Sequence, residues 1–506
     1  MPRFAKTKNG ASNQVAKLRW LMADQLGPHF DDGGEILLIE AKGVLARKPY
    51  HWAKAHLILS ALRHRAAELG DRARFVQVTS YRDALKPIIQ SGERVQLINP
   101  TSWGARSLAN SLSLETLPSR GFVSSEEFFS EWAQGKKPQS LKLENYYRHW
   151  RERSGVLMEG PNPVGGQFNY DHDNRQPPPK GATNLGLPQP WRPVEDEIDA
   201  QVRADLTRWS EAGEIQLFGR DGPRRFAATR AEALAALDDF IETRLMDFGP
   251  FEDASLTGDP VMAHSRLSVP LNLGLLDPRE VIAACVAAYE RGDAPLGSVE
   301  AIVRQLAGWR DWVWHLYWML GPDYASTNNY LAASKPLPES WWKLDGEGIE
   351  SNCMRQVLTS VGETGYAHHI QRLMILGNWA LQRGINPQEL NDWFTSAFVD
   401  GTPWVMPANV IGMSQHADGG TVATKPYSSG GAYINTMSDF CGGCPFNPKV
   451  RVGENACPFT AGYWAFLARV EPRIRGNHRM AQPLAGMRRL ADLDAVIEQE
   501  AHRTRW

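Results

Sequence analysis

The chain changes its hydrophobic period once along its 506 residues, and no other feature narrows the choice of fold as far. Over roughly the first 130 residues, short apolar runs alternate with amphipathic helical stretches, the signature of a parallel α/β domain. The runs "LRWLM" (18–22), "EILLIE" (35–40), "RFVQVTS" (74–80) and "RVQLINP" read as strands. Residues 51–69 place Leu57, Leu59, Leu62, Ala66 and Leu69 broadly on one face, which predicts the crossover helix of a βαβ unit. From about 200 onward the period is helical, in "RAEALAALDDFIETRL", "PREVIAACVAAYERG", "SVEAIVRQLAGWRDWVWHLYWML" and "GETGYAHHIQRLMILGNWALQRG", with Gly or Pro at the boundaries. Between the two regimes, 134–200 is rich in Gly, Pro, Asn and Arg and reads as a long linker.

The expected architecture is an α/β N-terminal domain with a Rossmann-like parallel sheet over 1–133, an interdomain linker over 134–200 and a large all-α domain over 201–506. No GxGxxG follows the first strand, so a dinucleotide site of the Rossmann type is disfavoured. Lys plus Arg (55) nearly balance Asp plus Glu (57), so nucleic-acid binding would need a local basic patch. The N-terminal "MPRFAKTKNGASNQVAK" reads as a basic, frayed tail with no cleavage site. No window holds the ~18 uninterrupted apolar residues of a membrane span, so a soluble, cytoplasmic monomer is expected.

Five cysteines are too few for a disulfide scaffold at this length, which points to thiolate ligands plus a bystander. In "CGGCPFNPKVRVGENACPF" (441–459), Cys441, Cys444 and Cys457 have metal-ligand spacing, with CxxC chelating one centre at little loop strain. A fourth ligand must come from elsewhere. Cys285 lies among Ala and Val on an apolar helix face and reads as a small buried hydrophobe. Cys353 follows a polar loop and opens a helix, so it is the better ligand. Four thiolates suit zinc or an iron–sulfur cluster, and spacing alone does not separate them; Pro after Cys444 and Cys457 and the aromatics Phe440, Phe446, Phe459, Tyr463 and Trp464 lean toward the cluster.

In "AHSRLSVPLNLGLLDPRE" (263–280), a Ser-Arg-Leu-Ser turn before a helical stretch makes a candidate phosphate cradle of hydroxyls, N–H groups and one guanidinium. "QLAGWRDWVWHLYW" crowds Trp and Tyr on one helix, where core packing is the plain reading. These stretches, in this order after an α/β domain, resemble the photolyase/cryptochrome superfamily, above all its bacterial iron–sulfur branch of prokaryotic (6-4) photolyases and related cryptochromes. The resemblance runs through most of the chain: "ADQL", "SALRHRAAEL", "GGQFNYDHDNR", "GDPVMAHSRLSVPLNLGLLDP", "GWRDW", "GYAHHIQRLMILGNW", "FVDGTPWVMPANVIGMSQHADGG" and "TKPYSSGGAYINTMSDFCGGCPFNPKVRVGENACPF".

That resemblance implies FAD in the helical domain, with its diphosphate on His264, Ser265, Arg266, Leu267 and Ser268, and with Asp311, Arg372 and Asp400 close to the flavin. It implies a [4Fe-4S] cluster on Cys353, Cys441, Cys444 and Cys457. It implies an antenna, 6,7-dimethyl-8-ribityllumazine, on Asp24 and Glu40, although "LARKPYHWAKAH" departs from the family pattern there. His369 resembles the active-site histidine of the (6-4) enzymes, with His368 beside it and Tyr427 as a pocket partner. The implied partner is damaged DNA, single- or double-stranded, and the implied activity is light-dependent reversal of (6-4) pyrimidine photoproducts by an electron from excited reduced FAD, with histidine handling a proton. The alternative within the same resemblance is a blue-light cryptochrome with the same cofactors and little or no repair. A zinc-stapled DNA-binding protein is the third possibility. Trp393 matches the inner electron relay and Trp342 its outward extension, while Phe394 stands where relatives can carry Tyr and Met406 where some carry a carboxylate.

Overall fold

The computed structural model describes residues 17–344 and 346–506. The tail of residues 1–16 lies outside the described residues.

Five parallel strands form the N-terminal sheet: β1 (Leu18–Leu21), β2 (Ile36–Ala41), β3 (Ala73–Val78), β4 (Val95–Ile98) and β5 (Glu115–Leu117), in the order β3-β2-β1-β4-β5. Trp20 is in register with Leu37 on one side and Leu97 on the other. All six residues of β2 are buried, as expected of a central strand covered on both faces, and this is why the strand reads as a continuous apolar run. The edge strand β5 is short and polar, which hides it from a hydrophobic-period reading. Helix α1 (Trp52–Leu69) crosses over between β2 and β3, and His51 caps it by accepting from the Ala53 N–H.

The stretch 134–200 is more structured than a linker. It holds helix α2 (Leu143–Ser154), whose Tyr146, Tyr147, Trp150 and Arg151 are buried against the helical domain. Residues 155–196 then run with little regular structure until helix α3 (Glu197–Glu211), which starts on an Asp196/Asp199 capping box. Helix α3 packs on α1, and Leu217–Phe218 pair in parallel with Tyr50–His51, so the chain returns to the first domain before the helical region proper.

The helical region includes α4 (Asp311–Leu320), α5 (Asn352–Thr364), α6 (Pro387–Ala397) and α7 (Pro458–Ile474), with α5, α6 and the start of α7 sharing one apolar cluster and α4 packed in another. The period of 362–384 suggested one helix. The structure instead ends α5 at Gly365, in the left-handed region at φ 62°, and restarts the helix at His369. Cys285 is fully buried in the main apolar core, as a small hydrophobe would be. Among the described residues, no helix is long and apolar enough to cross a membrane.

Candidate functional site

A cavity of about 860 Å3 opens in the helical region. Its walls include three π-helical segments, Arg304–Arg310, Arg372–Gly377 and Ala408–Ser414. Such segments are rare and concentrate where side chains must be re-aimed toward a site. Here they turn Arg304, Trp309, Arg310, Arg372, Leu373 and Met413 toward one space.

On one side His264, Ser265, Arg266, Leu267 and Ser268 line the cavity together. The turn is built around Arg266, whose φ of 56° is unusual for a side chain with a Cβ. Its guanidinium donates to the Arg225 carbonyl at 2.9 Å and lies 4.6 Å from the Phe226 ring, and burial lowers its pKa to about 10. Deeper in, Arg372 meets Asp400 through two bonds of 2.8 and 3.1 Å, while its Nε donates to the Ala367 carbonyl. Ser268 donates to the same carboxylate at 2.7 Å, so the cradle and the ion pair form one unit.

Beside them, His368 is buried, its Nε2 is 3.0 Å from Ser255 Oγ, and its Nδ1 has no partner among the described residues. Its ring stacks on His264 at 4.0 Å. His369 is the first residue of the restarted helix turn, with His368 at its N-cap, and opens onto the cavity. Desolvation first, then the Arg372 charge, pushes His369 down to about 4, and desolvation with His264 and His369 nearby holds His368 lower still. Both imidazoles are therefore neutral at pH 7 in the free chain. Tyr427, half-exposed, lines the cavity mouth with Lys425 and Arg479.

Asp311 is placed elsewhere than expected. It is fully buried outside the cavity wall, accepting from the Val123 N–H at 2.9 Å and from Ser124 and Tyr146 hydroxyls at 2.5 Å. Burial would raise its pKa, but His315 and these hydroxyl donors outweigh it and hold the carboxylate ionised. It anchors the end of the first domain to α4, while its neighbours Trp309 and Arg310 face the cavity.

The four cysteines come together across the sequence. Cys353 sits in the first turn of α5, Cys441 in the turn Phe440–Gly443 and Cys444 just after it, and Cys457 caps α7 with Pro458 at the first helical position. Asn352 donates to the Phe440 carbonyl at 2.9 Å and ties the two loops. Phe440, Phe446 and Phe459 are buried around them. Burial pushes the thiols of Cys353, Cys441 and Cys457 upward, Cys441 to about 12, and the other three thiols add to the rise at Cys353. Such thiols ionise only with a cation to neutralise them. Among the described residues the one set of three ligand atoms within 4.8 Å of one another is His64, Asp196 and Asp199. Arg224 already engages Asp199 through two bonds, 2.9 and 3.0 Å, which leaves the His64 set a charge-paired cap.

A family model described as deoxyribodipyrimidine photo-lyase-related protein matches residues 19–219. A (6-4) photolyase of Agrobacterium fabrum is 39% identical over 94% of this chain and 96% of its own length. The chain belongs to the (6-4) photolyase family. Among solved structures it is similar to a bacterial class III photolyase from Agrobacterium tumefaciens, with TM-score 0.52 and 17% identity over 85% of this chain and 88% of that one. It is also similar to a Synechocystis cryptochrome, with TM-score 0.58 and 13% identity over 92% and 91% of the two chains. The fold is that of the photolyase/cryptochrome superfamily.

In this member of the (6-4) photolyase family, Trp393 is fully buried and its ring lies 4.9 Å from that of Trp341. The expected outward neighbour, Trp342, instead packs on Phe218 at 5.5 Å, because successive residues of the helix Glu339–Lys343 point ~100° apart. From Trp341 the rings continue through Trp379 at 5.6 Å to Trp506 at 4.5 Å beyond it. Phe394 lines the cavity and touches Trp393 at 5.5 Å. In the first domain, Asp24 is bonded to the Thr101 hydroxyl, and burial raises its pKa. Glu40 is 2% exposed, with Arg63 on both oxygens at 2.7 Å and Gln77 at 2.9 Å. These two carboxylates therefore have partners within the fold. Sequence reasoning missed the charged wall formed by Asp171, Arg175, Glu252, Asp253 and Arg304. Two of these lie in "GGQFNYDHDNR", the only signal that pointed there.

Proposed function

We propose that this chain is a light-dependent DNA-repair flavoprotein that reverses (6-4) pyrimidine photoproducts. The observation that carries the reading is a single cavity joining the Arg372–Asp400 pair, the 264–268 cradle and two adjacent histidines, in a chain related along nearly its whole length to a (6-4) photolyase.

The cavity residues fit FAD. The volume falls within the range of ~300–1,000 Å3 found for ligand pockets. The 264–268 turn offers hydroxyls, backbone N–H groups and a buried guanidinium to a diphosphate, and the Arg372–Asp400 pair offers a donor and an acceptor to the polar edge of an isoalloxazine. When bound, FAD supplies the light-driven electron. His369 takes the proton-handling position, because it is the more exposed of the two histidines lining the cavity, while His368 is held by Ser255 and His264. Since His369 is neutral in the free chain, a bound nucleotide whose phosphates add negative charge beside it would raise its pKa toward neutrality. The damaged dinucleotide would enter flipped from the duplex, an entry made easier by its poor stacking. Lys425 and Arg479 at the mouth would take its phosphates.

Cys353, Cys441, Cys444 and Cys457 fit a [4Fe-4S] cluster in number and in their shared apolar setting, and would tie α5, the 441–444 turn and α7 to one centre. Trp393 and Trp341 would carry electrons outward from the cavity. A ribityllumazine antenna on Asp24 and Glu40 would have to share those carboxylates with Thr101, Arg63 and Gln77.

The test is repair of an oligonucleotide containing one (6-4) photoproduct, by reduced and illuminated protein. Wild type is expected to restore the undamaged bases and His369→Ala to lose ~100-fold or more in rate. Absence of repair by wild type that retains flavin would sink the reading.

A further inference from the structure

Glu252 lies in the turn after helix Leu245–Phe248 and lines the same cavity as His264, His368 and His369. Its Oε2 is buried, and among the described residues no donor reaches it. Arg304 Nη2 stops 3.8 Å from Oε1, beyond hydrogen-bond distance, because its guanidinium is shared with Asp171 at 3.3 Å and Glu300 at 3.4 Å. Arg175 is bonded to Asp171, and the Tyr433 hydroxyl donates to Asp253 at 3.4 Å. On the remaining side His264 turns its Nε2 to the Glu252 backbone carbonyl at 3.0 Å and leaves the carboxyl alone.

The charges facing Glu252 do not balance if every group ionises. Three cations, Arg304, Arg175 and Arg151, act on four carboxyl groups, Asp171, Glu252, Asp253 and Glu300, which gives 3 − 4 = −1, and while Arg175 reaches solvent, Glu252, Arg304 and Glu300 are nearly buried. Like charges in such a place cannot all stay ionised, and a proton settles on the carboxyl with the poorest hydrogen bonding. Each of the other acids has a donor in contact: Arg175 on Asp171, Tyr433 on Asp253, and the Tyr170 N–H on Glu300.

We propose that Glu252 is a substrate-binding residue that enters the cavity as a neutral carboxylic acid and donates a hydrogen bond to an acceptor atom on the flipped photoproduct base. The inference rests on reading the cavity as a (6-4) photoproduct site. Burial, with Asp253 and Asp171 adding to it and Arg304 and Arg175 opposing, raises the Glu252 pKa to about 8, in line with the geometry. His368 and His369 are held neutral in the free chain, and a proton that His369 takes up on binding is lost again near neutrality, below the fall at about 8, and is shared by wild type and Glu252→Gln.

The experiment measures binding in the dark, by fluorescence anisotropy, of the FAD-loaded protein to a duplex with one (6-4) photoproduct and to the same duplex undamaged, from about pH 6.5 to 9.5. Wild type should lose its preference for the damaged duplex as pH rises through about 8, since the carboxyl then ionises and the donor is lost. Glu252→Gln keeps an N–H donor at every pH, so its preference should stay flat. Glu252→Ala should bind the damaged duplex ~10-fold more weakly at low pH, the effect of one lost hydrogen bond, and the undamaged duplex as before. A Glu252→Gln profile that falls with wild type, an Ala variant that binds as tightly as wild type, or loss of FAD from the folded Gln variant each overturns the proposal. If wild type has no preference for the damaged duplex at any pH, the photoproduct reading of the cavity itself falls, and this outcome is distinct from the other three.

Discussion

Asp400 is the acceptor on which the cavity floor is organised. Arg372 reaches it with two bonds, Ser268 with a third, and both ion-pair partners are almost out of solvent, at 12% and 8% side-chain exposure. Truncating one member of a buried pair leaves the other charge without compensation, at a cost of about 3–5 kcal/mol. Asp400→Ala should therefore lower stability by that order in denaturant unfolding and release flavin on gel filtration, while Asp400→Asn, which still accepts from Ser268, should do less of both. At this scale the sequence was informative where residue type alone decides the chemistry. The structure brings the four cysteines into one apolar cluster and pairs Arg372 with Asp400, as their residue types led one to expect. Asp311 shows the limit. A motif places a residue on a helix near the cavity, but helix phase decides which way it points, and one step of ~100° turns it from the cavity of Trp309 and Arg310 to the Val123–Ser124 backbone. Glu252 had no local signal, because its lack of a donor is a property of four segments meeting.

The same limit operates on whole elements. Hydrophobic period identifies Leu296–Val303 and Asp311–Leu320 as helical, but not that Arg304–Arg310 between them opens into a π-helix. Nor does it foresee that two other such segments face it, Arg372–Gly377 and Ala408–Ser414, close enough that a Cβ on Gly377 would lie 2.1 Å from Ser414 Oγ. Short helices are as hard to phase. Trp341 and Trp342 are adjacent in "WWKL", and only the packing of Glu339–Lys343 shows that Trp341 is the one against Trp393. Ring contact sets the expectation for electron passage. Trp341→Phe should slow photoreduction of bound flavin by an external reductant, followed by loss of flavin absorbance under blue light, and Trp342→Phe should leave that rate near wild type. Equal effects from the two variants would disconnect the contact geometry from the electron path.

Across the whole molecule, the class of each domain was readable because parallel strands and amphipathic helices write different periods into the chain. How the domains dock was not, since docking joins residues far apart in the chain: one apolar core takes in Leu21, Leu38 and Leu57 of the first domain with Leu267, Leu271 and Val281 of the helical region. Lys54 adds a polar tie across the same boundary. It leaves α1 in the first domain, is 5% exposed, and donates to the carbonyls of Thr395, at 2.6 Å, and Gly401, at the end of α6 and on either side of the Asp400 loop. That contact makes the first domain a support for the cavity floor. It also carries a pH signature. Burial, with Lys48 adding to it, lowers the Lys54 pKa to about 7 from an ordinary 10.5. Between those values the unfolded chain binds the proton that the folded chain has released, so stability rises with pH across the window. The slope for one such group is about 1.4 kcal/mol per pH unit. Lys54→Met, which cannot titrate, should lack this gain. The difference in unfolding free energy, wild type minus variant, measured in urea at pH 7, 8 and 9, should therefore climb at close to that slope. A difference that stays constant over the same range would mean that Lys54 keeps its proton on folding and braces the Asp400 loop as a cation.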